Sequence, residues 1–172
     1  MPARPCILLA CCALAGALLG CAGYKLGPTT AGSAGTRSIQ VNLFRNATLE
    51  PRLVEAVSSA LRKSLQQDGT FRLNTSGEGD IVVNGVITRF ERSGVSFQPN
   101  DILTVRDYEL RLVAHLTAVD RHTGRTVLDR DVTGRTTIRA GDDQTSAERQ
   151  ALPLAADDLA RNATSLLVDG SW

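Results

Sequence analysis

Past residue 21 this chain has no cysteine. Its four cysteines are Cys6, Cys11, Cys12 and Cys21, so the sequence beyond them can form neither an internal disulfide nor a thiol pair for zinc. Whatever folds there is held by its core. An excess of charge is also missing: 19 basic residues stand against 18 acidic ones, net +1, which argues against a polyanion such as nucleic acid as partner. There are only two histidines, His115 and His122. They fall on different predicted elements and lack the usual spacing of a metal pair. No Gly-x-Ser-x-Gly elbow occurs, and Gly77-Glu78-Gly79 lacks the Lys-Ser/Thr that completes a phosphate loop. Asp142-Asp143 stands just before a predicted helix, where the dipole favours negative charge. Asp157-Asp158 stands beside Arg161 at ion-pair spacing. Neither is a desolvated carboxylate pair. An enzyme is not expected, and neither is a metal or a dissociable cofactor.

What is present begins with MPARPCILLACCALAGALLG: one positive charge, Arg4, then a Leu- and Ala-rich run that ends in small residues. That is the order of an export signal. Twenty apolar residues could also span a bilayer. The strongly apolar part, however, runs only from Cys6 to Leu19, 14 residues, and Gly16, Gly20 and Gly23 weaken a continuous helix. Leu18-Leu19-Gly20-Cys21 resembles a bacterial lipobox, with Leu three before the cysteine and Gly directly before it. In such precursors the thiol receives a diacylglycerol, the chain is cut before the cysteine, and the new amine is acylated, commonly with palmitate. Anchoring that lasts needs more than one acyl chain, and Cys21 would carry three. Ala22 stands where an inner-membrane retention signal would have Asp, so the outer membrane is the expected destination. Residues 1–20 therefore read as a signal peptide, residues 21–38 as the lipidated cysteine with a small, polar, flexible tether, and residues 39–172 as a single domain. Cleavage removes one arginine and no acid, leaving basic and acidic residues in equal number.

The domain reads as alternating strands and helices. Residues 39–43 alternate apolar and polar, as a half-buried strand does. Residues 50–67 read as an amphipathic helix, with Pro51 in its first turn, Leu53, Val57, Leu61 and Leu65 on one face and Gly69 as its C-terminal cap. Phe71-Arg72-Leu73 opens a second strand. Residues 81–92 form a third, with Gly94 as a bend or bulge and residues 98–103 as a break. Tyr108, Leu110, Leu112, Ala114, Leu116 and Ala118 mark one face of a strand over 105–119, which turns at 120–124 and returns over 126–138 as a hairpin. Thr145 with Glu148 reads as a capping box, opening a helix whose face is Leu152, Ala156, Leu159, Ala163 and Leu166, with Pro153 in an early turn or at a kink. The fold class is α+β: a two-layer domain with two amphipathic helices on one face of a four- to five-stranded, largely antiparallel (mixed) sheet. Asn46-Ala47-Thr48 and Asn162-Ala163-Thr164 match the glycosylation sequon, which a bacterial lipoprotein does not normally use.

The motifs resemble, in order, those of the LPS-assembly lipoprotein family (LptE). Gly23-Tyr24-Lys25-Leu26-Gly27 follows the lipobox. Next come Ile39-Gln40-Val41 and the block Phe44-Arg45-Asn46-x-Thr48-x-Glu50-Pro51-x-Leu53, which leads into Leu61, Leu65 and Asp68-Gly69. Asp157-Asp158-Leu159-Ala160-Arg161, Leu166-Leu167-Val168 and Asp169-Gly170-Ser171-Trp172 close it, while residues 78–140 match in pattern only. The resemblance implies a non-enzymatic outer-membrane lipoprotein that plugs and helps assemble the large LptD β-barrel and binds lipopolysaccharide on its way to the surface. It also implies two helices against a mixed sheet. Lipopolysaccharide carries phosphates, for which the planar fork of Arg is suited. Arg89, Arg92, Arg106, Arg111, Arg121 and Arg125 are nominated from spacing as its contacts. The competing readings are a pilot or scaffold lipoprotein for a secretin-type complex and a periplasmic ligand-binding module.

Overall fold

Leu53, Val57, Leu61 and Leu65 are buried along one stripe of helix α1 (Leu53–Asp68), as their four-residue spacing requires. The computed structural model of the protein describes residues 37–170 apart from Asp142. The leader, Cys21, nearly all of the tether and Trp172 lie outside the described residues. Gly69 ends α1 in the left-handed conformation (φ 74°), its N–H bonded to the Leu65 carbonyl at 3.2 Å, the geometry for which a residue without Cβ is favoured.

Six strands form one mixed sheet: β1 (Ser38–Val41), β2 (Arg45–Asn46), β3 (Arg72–Leu73), β4 (Ile81–Gln98), β5 (Asp101–Asp120) and β6 (Thr126–Arg139). Their order is β3-β1-β4-β5-β6, with β2 following β1 along the same side of β4. The long strands β4, β5 and β6 are antiparallel, while β1, β2 and β3 pair in parallel. This is the α+β two-layer class expected, with one strand more than expected. Helix α2 (Gln144–Asp169) packs with α1 on one face. The core between the layers includes Ile39, Ile81, Val83, Ile87, Leu112, Leu116 and, from α2, Leu159 and Leu167.

Four local expectations need correction. Helix α1 begins at Leu53, and Pro51 lies in the turn before it. The preceding loop is organised by Asn46, whose Oδ1 accepts from the Thr48 N–H (2.9 Å) and hydroxyl (2.8 Å) while its Nδ2 donates to the Glu50 carbonyl at 2.6 Å. Helix α2 is capped by Asp143, which accepts from the Ser146 N–H at 3.0 Å. Thr145 is already inside the first turn, and Glu148 reaches Arg92 on β4. The buried face of α2 rotates toward Leu167 and Ala160, leaving Leu166 only partly buried; Pro153 lies within the helix, on its exposed side. Finally, the break expected over residues 98–103 narrows to the turn at Pro99-Asn100. Gln98 pairs with Asp101 around Pro99-Asn100, so β4 and β5 run on as a long hairpin arm, with the register shifting just after Gly94.

Candidate functional site

Two helices cover one side of the sheet, and the other side is open, with a row of valines (Val82, Val86, Val113, Val119) among many polar and charged groups. Because successive strand residues alternate faces, burial of Ile39, Val41 and Val83 turns Gln40, Asn42 and Asn84 to the open side. There they form a chain, Gln40 Nε2 donating to Asn42 Oδ1 (2.7 Å) and Asn42 Nδ2 to Asn84 Oδ1 (2.8 Å). Further along, Arg111 donates to Glu109 at 2.9 Å. His115 sits between β6 carboxylates, Nδ1 at 2.8 Å from Asp131 and Nε2 at 2.9 Å from Asp129. Its ring nitrogens are thus engaged on opposite sides, an arrangement for holding a proton rather than a metal ion.

The hydrogen bond to Asp131 chiefly, and the charge of Asp129 next, raise the His115 pKa above its ordinary 6.5. A raised value means stability that is fully present below the unfolded-state pKa and is lost as pH rises through the folded one. His115→Gln should therefore lower the melting temperature relative to wild type at about pH 6, and the two curves should converge at alkaline pH. A gap that widens with pH would contradict the clamp.

At the end of the sheet where β1 begins, Asp80 accepts from the Ser38 N–H (2.7 Å) and hydroxyl (2.8 Å), and His122 Nε2 lies 2.9 Å from its other oxygen. The Ser38 N–H, then His122, hold this carboxyl well below the usual carboxylate range. Arg37 pairs with Asp120 beside it. These contacts tie the first residues of β1 to β4 and to the β5–β6 turn.

The six nominated arginines do not converge. Arg89 pairs with Glu91 (3.4 Å), Arg92 with Glu148, Arg106 with Asp107 (3.2 Å) and Arg111 with Glu109. The Arg92 guanidinium also lies 5.3 Å from the Tyr108 ring centre. These four stand on the arm half of the β4–β5 hairpin. Arg121, donating to the Gly77 carbonyl at 3.0 Å, and Arg125 stand at the opposite turn. At a strand's rise per residue the gap from Arg111 to Arg121 is about 30 Å, so one headgroup cannot engage both groups.

Two surfaces were not foreseen from the sequence. One is a cleft of about 1270 Å³ between the first turns of α1 and the first half of α2, lined by Leu43, Val54, Phe90 and Leu152 with Arg62 and Arg149 among its polar groups. The other is the arm tip, where Val95, Phe97, Ile102 and Leu103 are 48–88% exposed. Their signal was a string of apolar residues flanking Pro99-Asn100.

The family model described as lipopolysaccharide-assembly, LptE, matches residues 36–166 of this chain, well over half of it. The chain belongs to this family. Membership places it in lipopolysaccharide assembly, and the fold agrees across distant structures. A Xanthomonas campestris protein superimposes with a TM-score of 0.62 at 13% identity, covering 85% of this chain and 91% of that one. A minor lipoprotein from Acinetobacter baumannii gives 0.53 at 13% identity, covering 77% and 93%. A Chlamydia trachomatis protein gives 0.57 at 9% identity, covering 78% and 97%. At these identities the likeness is one of fold. No curated protein sequence matches the chain. The block most specific to the LptE resemblance, Phe44 to Leu53, has a structural use in this member: a buried ring, an Asn-centred turn and the start of a core helix.

Proposed function

We propose that this chain is a non-catalytic outer-membrane lipoprotein, anchored through acylated Cys21, that sits inside an LptD-type β-barrel, helps it assemble and binds lipopolysaccharide in transit. The observation that carries the proposal is the open face of the sheet. A wide barrel's lumen is polar, and this face offers polar groups that already hold one another: Glu109 pairs with Arg111, and Asp129 and Asp131 both pair with His115. Such a face can lie against a polar wall with these side chains still paired, which limits the cost of covering them. The arginines of the arm, already held by acids, can exchange those partners for lipid phosphates; Arg121 and Arg125 serve a separate contact near the start of β1.

Anchoring is tested by Cys21→Ser. The wild-type chain should incorporate labelled palmitate and fractionate with the outer membrane, and the variant should do neither. Lipopolysaccharide at the cell surface should fall when the variant is the sole copy. A Cys21→Ser chain that still takes up label and stays in the outer membrane would remove the anchor from the proposal.

A further inference from the structure

Strand β6 is the outermost strand on its side of the sheet and 14 residues long. An edge of that length presents unpaired main-chain groups on which another strand can form. Midway along it, two of those groups are occupied by helix α2. The Thr133 carbonyl accepts from Asn162 Nδ2 at 2.8 Å, and the Arg135 N–H donates to Asp158 Oδ2 at 2.9 Å. Asp158 and Asn162 are one helical turn apart, so they meet strand groups two residues apart. The other oxygen of Asp158 is held by Arg161 at 2.9 Å, which fixes the carboxylate's direction.

Between the two bonded positions lies Gly134, and it makes the approach possible. A Cβ there would stand 2.2 Å from the Ala155 carbonyl oxygen and 2.5 Å from the Leu159 nitrogen. The helix backbone therefore rests directly on the strand, close enough for short side chains to curl over the edge. Charged side chains continue the guard along the strand, with Asp129, Arg130 and Asp131 on one side of the contact and Arg139 on the other.

We infer that Asp158, Asn162 and Gly134 form an edge lock: α2 closes the free side of β6 and keeps a second copy of this chain from pairing β6 to β6. The lock gives a role to the Asn of the second sequon and a second one to Asp158 beside its ion pair with Arg161. It is independent of how the open face or the arm is used.

The test uses the full-length chain in detergent. Light scattering over a range of protein concentrations should give a constant protein mass for the wild type. Asp158→Ala with Asn162→Ala should keep the far-ultraviolet circular dichroism but move toward dimer and larger species as concentration rises. Amide exchange at Arg135 should accelerate roughly tenfold or more in Asp158→Ala, while Gly134 keeps its protection. A folded double variant with the wild-type mass at every concentration overturns the lock, as does a wild type that already dimerises through β6. If the double variant fails to fold, Asn162→Ala alone, which frees the Thr133 carbonyl and leaves Arg135 held, decides by the same mass measurement.

Discussion

Gly134→Val should lower the stability of the domain by about 3 kcal/mol, the upper range for forcing bulk into a packed layer. The atoms a side chain would strike at this position are backbone, the Ala155 carbonyl and the Leu159 amide, together with the Leu159 Cβ at 2.6 Å. Backbone cannot rotate out of the way as a flexible side chain can, so α2 must lift as a body. Lifting it exposes Leu159, Ala160 and Ala163, all fully buried. For a domain of this size the loss corresponds to a fall in melting temperature of about 10 °C. Gly141→Ala is the control: a Cβ at Gly141 meets nothing within 4 Å, and that variant should melt with the wild type. Overlapping curves for Gly134→Val and wild type would mean that α2 does not rest on β6 as described.

Phe44→Ala should be still more damaging, by about 4 kcal/mol, as large aromatic truncations in cores are. Phe44 is 3% exposed, and its ring lies so close to Gly85 on β4 that a Cβ there would stand 2.1 Å from the ring's Cε1. Its N–H bonds the Ser58 hydroxyl on α1 at 3.3 Å, so one residue joins the β1–β2 connection, the sheet and the helix layer. The pairing with Gly85 gives a sharper test than the single loss. In wild type, Gly85→Ala drives the ring out and should itself destabilise strongly. In the Phe44→Ala background the space is vacant, and the same change should cost little or restore some stability, a non-additive cycle between touching residues. Equal damage from Gly85→Ala in both backgrounds would separate the two residues.

Elements whose pattern is local were legible in the sequence. The four-residue period of α1, the αL glycine that ends it and the two-residue alternation of β5 are each written in one continuous segment, and each is where expected. Elements decided by partners were not. Strand β2 is two residues long and exists through pairing with β4, so no periodicity can mark it, whereas the equally short β3 falls where Phe71-Arg72-Leu73 reads as a strand. The segment 98–103 looked like an interruption because Pro99, Asn100 and Asp101 are turn formers. A two-residue turn suffices, and cross-strand pairing carries the strands up to it. The cap of α2 went to Asp143 rather than Thr145 because its carboxylate lies within reach of the Ser146 N–H.

The site was less legible than the fold, for the same reason. Spacing nominated six arginines but could not say that each of the four on the arm already holds an acid, or that Arg121 and Arg125 lie at the far turn. Gly134 offered a readable sign, a glycine inside a strand, which often marks the close approach of another backbone. Which backbone approaches is a tertiary fact. The mixture of charges in near-equal number, by contrast, was visible from composition, and the structure pairs several of them with one another on the open sheet face.

A role beside a barrel is tested most directly by capture. Outer membranes carrying the affinity-tagged, full-length chain are solubilised gently, the chain is pulled out, and whatever comes with it is identified. The expected partner is a large β-barrel of the LptD kind, recovered in proportion to the chain. A secretin ring in its place, or the chain alone, would contradict the proposed function.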